Sequence, residues 1–126
     1  MKYGTLIHKY LEYIDFNNYD NSIIKDEKIR KKIDNLVKNI IKDGIINIYK
    51  EYEFIYVKDN IKYNGVIDLM IEYNDSIDII DYKLKNIKDE KYKDQLNGYK
   101  KYIESISDKK INLYLYSILD EKIEII

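Results

Sequence analysis

Gly65-Val66-Ile67-Asp68-Leu69-Met70-Ile71 and Ile77-Asp78-Ile79-Ile80-Asp81-Tyr82-Lys83 are two apolar runs joined through the turn-forming Asn74-Asp75-Ser76. The β-branched residues and the polar turn predict two strands, over about 61–73 and 77–83, folded into a hairpin. Side chains alternate across a strand, so Asp81 and Lys83 share a face with Ile77 and Ile79, while Ile80 and Tyr82 take the other. An acid and a base therefore end an apolar strand on a half-buried face, where charge is costly unless it pairs or binds an ion. Asp68 interrupts the neighbouring run in the same way. It stands about as far from the turn as Asp81 does, so the hairpin makes two carboxylates near neighbours.

Outward from this hairpin the periodicity changes. Upstream, residues 48–57 are rich in β-formers, Lys58-Asp59-Asn60 reads as a hairpin turn, and Gly65 marks a bulge or a close backbone approach. Leu6, Ile7, Tyr10, Leu11 and Ile14 have helical spacing over 3–14. Ile29, Ile33, Leu36, Val37, Ile40 and Ile41 form the apolar stripe of an amphipathic helix over 25–42, with Gly44 at a C-cap distance and a polar loop over 15–24. Downstream, Tyr92, Leu96, Tyr99, Ile103 and Ile106 predict a helix over 88–106. Strands follow over 111–118 and 123–126, separated by a turn at Leu119-Asp120-Glu121-Lys122. The predicted order α-α-β-β-β-α-β-β describes an α/β (mixed α+β) fold with a central mixed sheet flanked by helices, expected as one domain over 1–126.

Composition narrows the function classes. Hydrophobic residues at 45% and charged residues at 36% fit a soluble globular protein. A formal net charge of -1 argues against a stand-alone DNA binder held by charge, and leaves room for an enzyme that receives DNA from a partner. The absence of cysteine excludes disulfides, Cys-ligated zinc and iron–sulfur clusters within the chain. No signal-peptide core and no run of about 18 apolar residues is present, so a cytoplasmic location without membrane contact is expected. The 15 Tyr, the lack of Pro and the abundance of Ile, Lys and Asn read as the bias of an AT-rich genome, so counts of Tyr and Lys carry little weight.

Two close carboxylates repel unless a cation lies between them, and hard oxygen ligands suit Mg²⁺ or Mn²⁺. Such an ion polarises a phosphodiester and lowers the pKa of a bound water, and a lysine beside it orients that water or neutralises developing charge. The spacing alone fits equally well a plain Asp81–Lys83 ion pair at a strand end, with Asp68 at a turn or bulge.

A set of ordered motifs goes further. Gly4-Thr5-Leu6-Ile7-His8-Lys9-Tyr10-Leu11-Glu12 resembles a G-T-x-x-H-x-x-L-E helix, and Glu51-Tyr52-Glu53-Phe54 resembles a strand with an acid before an apolar residue. Gly65-Val66-Ile67-Asp68-Leu69 resembles a G-x-I-D segment, and Ile80-Asp81-Tyr82-Lys83 a D-Y-K core. Tyr92, Gln95-Leu96 and Tyr99 resemble a Y-x-x-Q-L-x-x-Y helix, and Leu113-Tyr114-Leu115-Tyr116-Ser117 a late strand. Together these resemble the RecB-type branch of the PD-(D/E)XK nucleases, and most closely the C-terminal nuclease domain of AddA-type helicase–nucleases. The resemblance implies a restriction-endonuclease-like core and Mg²⁺- or Mn²⁺-dependent hydrolysis of DNA, most often from single-stranded ends delivered by a helicase domain or subunit in repair and recombination. It implies metal ligation by His8, Asp68, Asp81 and the backbone carbonyl of Tyr82. Lys83 becomes the catalytic lysine, with Gln95 beside the active site and Glu53 and Tyr99 as supporting candidates. Gln95 and Tyr99 lie at i and i+4, on one helical face.

Three features depart from the family pattern. Leu84 stands where Thr commonly follows D-Y-K, weakening contacts on the phosphate side. The stretch between the His8 helix and the Glu53 strand is short for an AddA relative. No Walker A loop occurs, so a helicase motor is expected from elsewhere. An inactivated nuclease fold that binds DNA or docks on a helicase is the competing expectation; loss of an Asp or of the Lys would favour it, and neither is lost. Lys85, Lys88, Lys91 and Lys93 cluster after the D-Y-K strand and read as a solvated face rather than a phosphate contact.

Overall fold

The computed structural model describes residues 2–84 and 87–126, with side chains from Leu6 onward; Lys85 lies outside the described residues. The order is α1 (Lys2–Tyr13), a 3-10 turn (Asn21–Ile23), α2 (Glu27–Ile40), β1 (Asn47–Lys58), β2 (Ile61–Glu72), β3 (Ser76–Lys83), α3 (Glu90–Glu104), β4 (Lys110–Ser117) and β5 (Lys122–Ile125). The five strands form one mixed sheet in the order β1-β2-β3-β4-β5. β3 and β4 are parallel and joined through α3, and the other neighbours are antiparallel.

Helices cover both faces. Ile7, Leu11 and Ile14 of the α1 segment and Ile29, Ile33, Leu36 and Ile40 of α2 pack with Leu69, Ile71, Ile80, Tyr82 and Tyr116. Leu96, Tyr99 and Ile103 of α3 pack on the other face with Phe54, Ile67, Met70, Ile77, Ile79 and Leu115. The segment expected as a plain polar loop also feeds the core: Phe16 and Ile24 are buried within it.

Local chemistry sets the element ends. Asp26 accepts from the N–H groups of Lys28 and Ile29 and caps α2, and Asp89 accepts from the Lys91 N–H and caps α3. Gly44 is not the C-cap of α2. The helix closes earlier, where the Ile41 N–H donates to the Val37 carbonyl, and Gly44 takes a left-handed turn with φ of 88° on the way to β1. Asp59 and Asn60, both at positive φ, make the two-residue turn between β1 and β2. Gly65 is a close approach: a Cβ there would meet Tyr99 Cε1 at 2.7 Å and Phe54 Cε1 at 3.3 Å.

One irregularity organises the rest. In β1, Ile48 packs on the α1/α2 face, yet Tyr52, Phe54 and Tyr56 pack on the α3 face. In β2, Leu69 and Ile71 pack on the α1/α2 face, yet Ile67 packs on the α3 face. Strict alternation would keep each set on one side. The two strands switch faces at the same rung, between the Lys50↔Leu69 and Tyr52↔Ile67 pairs, where Glu51 sits opposite Asp68 with φ of 49°. Pairing of β2 with β3 also stops at Leu69↔Ile80, one step short of setting Asp68 opposite Asp81. The sheet thus forks where Glu51, Asp68 and Asp81 fall in a row across three strands.

Candidate functional site

At the fork Asp68 spans the gap to β3. Its Oδ2 accepts a hydrogen bond of 2.8 Å from the Tyr82 backbone N–H. Lys83 turns its carbonyl to Ile118 on the β4 side, so by alternation Tyr82 turns both its N–H and its carbonyl toward the fork. Burial, followed by the negative charge of Asp81, pushes the Asp68 carboxyl up to about 8; the hydrogen bond from Tyr82 opposes this only in part.

Asp81 is buried, at 3% exposure. Its Oδ2 lies 3.0 Å from Lys83 Nζ but has no aligned hydrogen-bond partner. The ammonium pairs its charge, and the misaligned contact leaves this oxygen with capacity for a further partner. Lys83 Nζ is held from three sides: by Asp81, by Gln95 Oε1 at 3.3 Å, and by the Tyr92 ring with its centroid 4.5 Å away. Gln95 and Tyr92 come from the first turns of α3, so the crossover helix fixes the lysine above the strand that carries it.

His8 reaches the site from α1. Its ring meets Tyr82 edge-on at 5.8 Å. Ligand atoms of His8, Glu51 and Asp68 all lie within 4.8 Å of one another. Burial and the nearby Glu12 raise the Glu51 pKa, while His8 lowers it. The clustered donors, one imidazole and two carboxylates, fit a divalent cation that accepts nitrogen with oxygen, with Mn²⁺ the better match to the imidazole; Asp81 stands beside Asp68 but outside this cluster.

The expected residues fall into two groups. His8, Asp68, Asp81, Tyr82, Lys83 and Gln95 converge at the fork. Glu53 does not: it is exposed and lines a shallow hollow with Ile55, Asn64 and Val66. Glu51 stands in its place, because the face switch occurs at Glu51. Sequence reasoning passed over it, although counting rungs back from a two-residue turn at Asp59-Asn60 places Glu51 opposite Asp68. Tyr99 is a core residue. It is buried, packs edge-on against Phe54 at 5.6 Å, and donates its hydroxyl to the Val66 carbonyl at 3.0 Å. Its part is to tie α3 to β2 two residues before Asp68. Leu84 is half-buried, and its carbonyl accepts from the Leu119 N–H.

No family model matches the chain. It is 33% identical over 102 residues to an ATP-dependent helicase/nuclease subunit of Clostridium acetobutylicum, covering 75% of this chain and 8% of that protein. The protein of the same name from Clostridium beijerinckii is 36% identical over 90 residues, covering 64% of this chain and 7% of that protein. The one from Listeria welshimeri is 29% identical over 104 residues, covering 71% and 8%. The chain therefore spans about 8% of the length of such relatives. Among the described residues, no helix is long and apolar enough to cross a membrane. By sequence, the chain is related to a short segment of these ATP-dependent helicase/nuclease proteins.

Proposed function

We propose that this chain is a metal-dependent DNA nuclease domain of the PD-(D/E)XK type, RecB-like, with a restriction-endonuclease-like core over 1–126. It works in a helicase–nuclease system of DNA repair and recombination. The observation that carries this reading is the cluster of His8, Glu51 and Asp68 ligand atoms within 4.8 Å of one another, beside the buried Asp81–Lys83 ion pair. The ordered motifs and the helicase/nuclease relatives support it.

His8, Glu51, Asp68, Asp81 and the Tyr82 carbonyl would hold Mg²⁺ or Mn²⁺, which when bound polarises a phosphodiester and lowers the pKa of water. The protein's own groups do the rest. Tyr82 N–H fixes the Asp68 carboxylate in one orientation. Lys83, paired with Asp81 and steered by Gln95, presents a positive charge to the phosphate and a donor to the attacking water. Tyr92 shields one side of the ammonium and limits its rotamers. With a net charge of -1 the chain has no strong field to gather DNA. A helicase domain or partner protein that feeds single-stranded ends supplies the affinity.

The test is degradation of end-labelled linear single-stranded DNA with Mg²⁺ or Mn²⁺, by wild type, Asp81→Ala and Lys83→Ala. Cleavage by the wild type, lost in both variants, is the expected result. A folded wild type that cleaves nothing, alone or with a helicase partner, would overturn it in favour of a binding or docking module.

A further inference from the structure

The His8, Glu51 and Asp68 donors come from a helix and two strands, and what sets their spacing is not itself a ligand. α1 has no basic residue in its last turn, so nothing on the helix itself answers the partial negative charge of its C-terminal carbonyls. Lys50 of β1 does so from across the layer. Its Nζ donates to the Glu12 carbonyl at 2.9 Å and to the Ile14 carbonyl, and it lies 5.2 Å from the Phe16 ring centroid. Lys50 immediately precedes Glu51, whose left-handed backbone breaks the alternation, so both successive side chains serve the α1 side of the sheet. One ties down the C-terminal end of α1. The other meets His8, one turn earlier on the same helix.

The geometry points to Lys50 as the positioning residue of the metal centre: it fixes α1 on β1 so that His8 reaches Glu51 and Asp68. This rests on the metal-centre reading above. A lysine bound to two main-chain carbonyls adds directed contacts at the helix end to the non-directional apolar packing of Ile7, Leu11 and Ile14. The strain at Glu51 has a purpose in the same device, since a regular strand would carry Glu51 to the opposite face from Lys50.

The experiment measures Mn²⁺ binding by calorimetry and by paramagnetic broadening of the His8 imidazole signals, in wild type, Lys50→Met, Lys50→Gln and Lys50→Arg. Tyr116→Phe serves as control, because it removes only a hydroxyl whose 2.6 Å hydrogen bond runs to Asn35 of α2, a residue outside the donor set. Lys50→Met and Lys50→Gln are expected to weaken Mn²⁺ binding by about 10–100-fold, the usual effect of losing an outer support of a metal site. Lys50→Arg keeps it within a few-fold, and Tyr116→Phe lowers the melting temperature with unchanged binding. Wild-type affinity in folded Lys50→Met or Lys50→Gln overturns the positioning role while leaving the metal centre intact. A wild type that binds no Mn²⁺ overturns both.

Discussion

The carboxylate of Asp68 accepts a hydrogen bond from the backbone N–H of Tyr82, 2.8 Å away on the next strand, where sheet pairing has already ended. A side chain thus replaces the missing rung of the β2–β3 ladder. This fixes one Asp68 oxygen on β3, while Asp68 also offers a ligand atom within 4.8 Å of His8 and Glu51.

That arrangement makes stability depend on pH. The folded protein holds the Asp68 proton up to about pH 8, whereas an unfolded chain releases it near pH 4. The folded state therefore binds the extra proton between these values, and the stabilisation is fully present below about pH 4 and lost as pH rises through 8. Without divalent ions, the melting temperature is expected to fall between pH 6 and pH 9. Asp68→Asn should flatten that profile and raise the melting temperature at pH 8, and thermal melts at four pH values decide it. Added Mn²⁺ should stabilise wild type more at pH 8 than at pH 6, because ion and proton compete.

Lys83 is both a proposed catalytic group and the neutraliser of a buried acid. Lys83→Met should cut nuclease turnover by about 10²–10³-fold. It should also lower metal-free stability by about 1–3 kcal/mol, through the charge left on buried Asp81. Lys83→Met with Asp81→Asn should regain that stability without regaining activity. A double mutant no more stable than Lys83→Met would show that the pair contributes nothing.

Glu51 and Glu53 separate cleanly. Glu51→Gln should weaken Mn²⁺ binding about tenfold or more, and Glu53→Gln should leave it unchanged. Glu51→Gly should stabilise the metal-free protein by about 1 kcal/mol, because a left-handed backbone costs a side-chain-bearing residue that much. Calorimetric titration and denaturant melts of the three variants measure both effects.

Gly65 is required by Tyr99. Gly65→Ala puts a methyl 2.7 Å from the Tyr99 ring and should destabilise by about 1–3 kcal/mol. Tyr99→Leu should relieve part of that cost in the double variant, so the two changes should not add in a denaturant-unfolding cycle. Simple additivity would mean that the ring and Gly65 are not coupled.

The sequence by itself determined the elements and their order. Apolar spacing of 3.6 in 3–14, 25–42 and 88–106, and β-rich runs between Asn or Asp turns, are local signals that burial only reinforces. It also marked Asp68, Asp81 and Lys83, because a charge inside an apolar strand is visible without knowing what lies opposite. Only the tertiary structure decided between Glu51 and Glu53. Regular alternation puts both on one face, and the positive φ at Glu51 that breaks it is not a local preference of Glu. Tertiary packing likewise placed Tyr99 in the core rather than at the site, since its i and i+4 relation to Gln95 says only that they share a helical face and not how deep that face lies. The role of Lys50 was beyond any local reading: a lysine in a strand is ordinary until a helix end from 36 residues earlier arrives to use it.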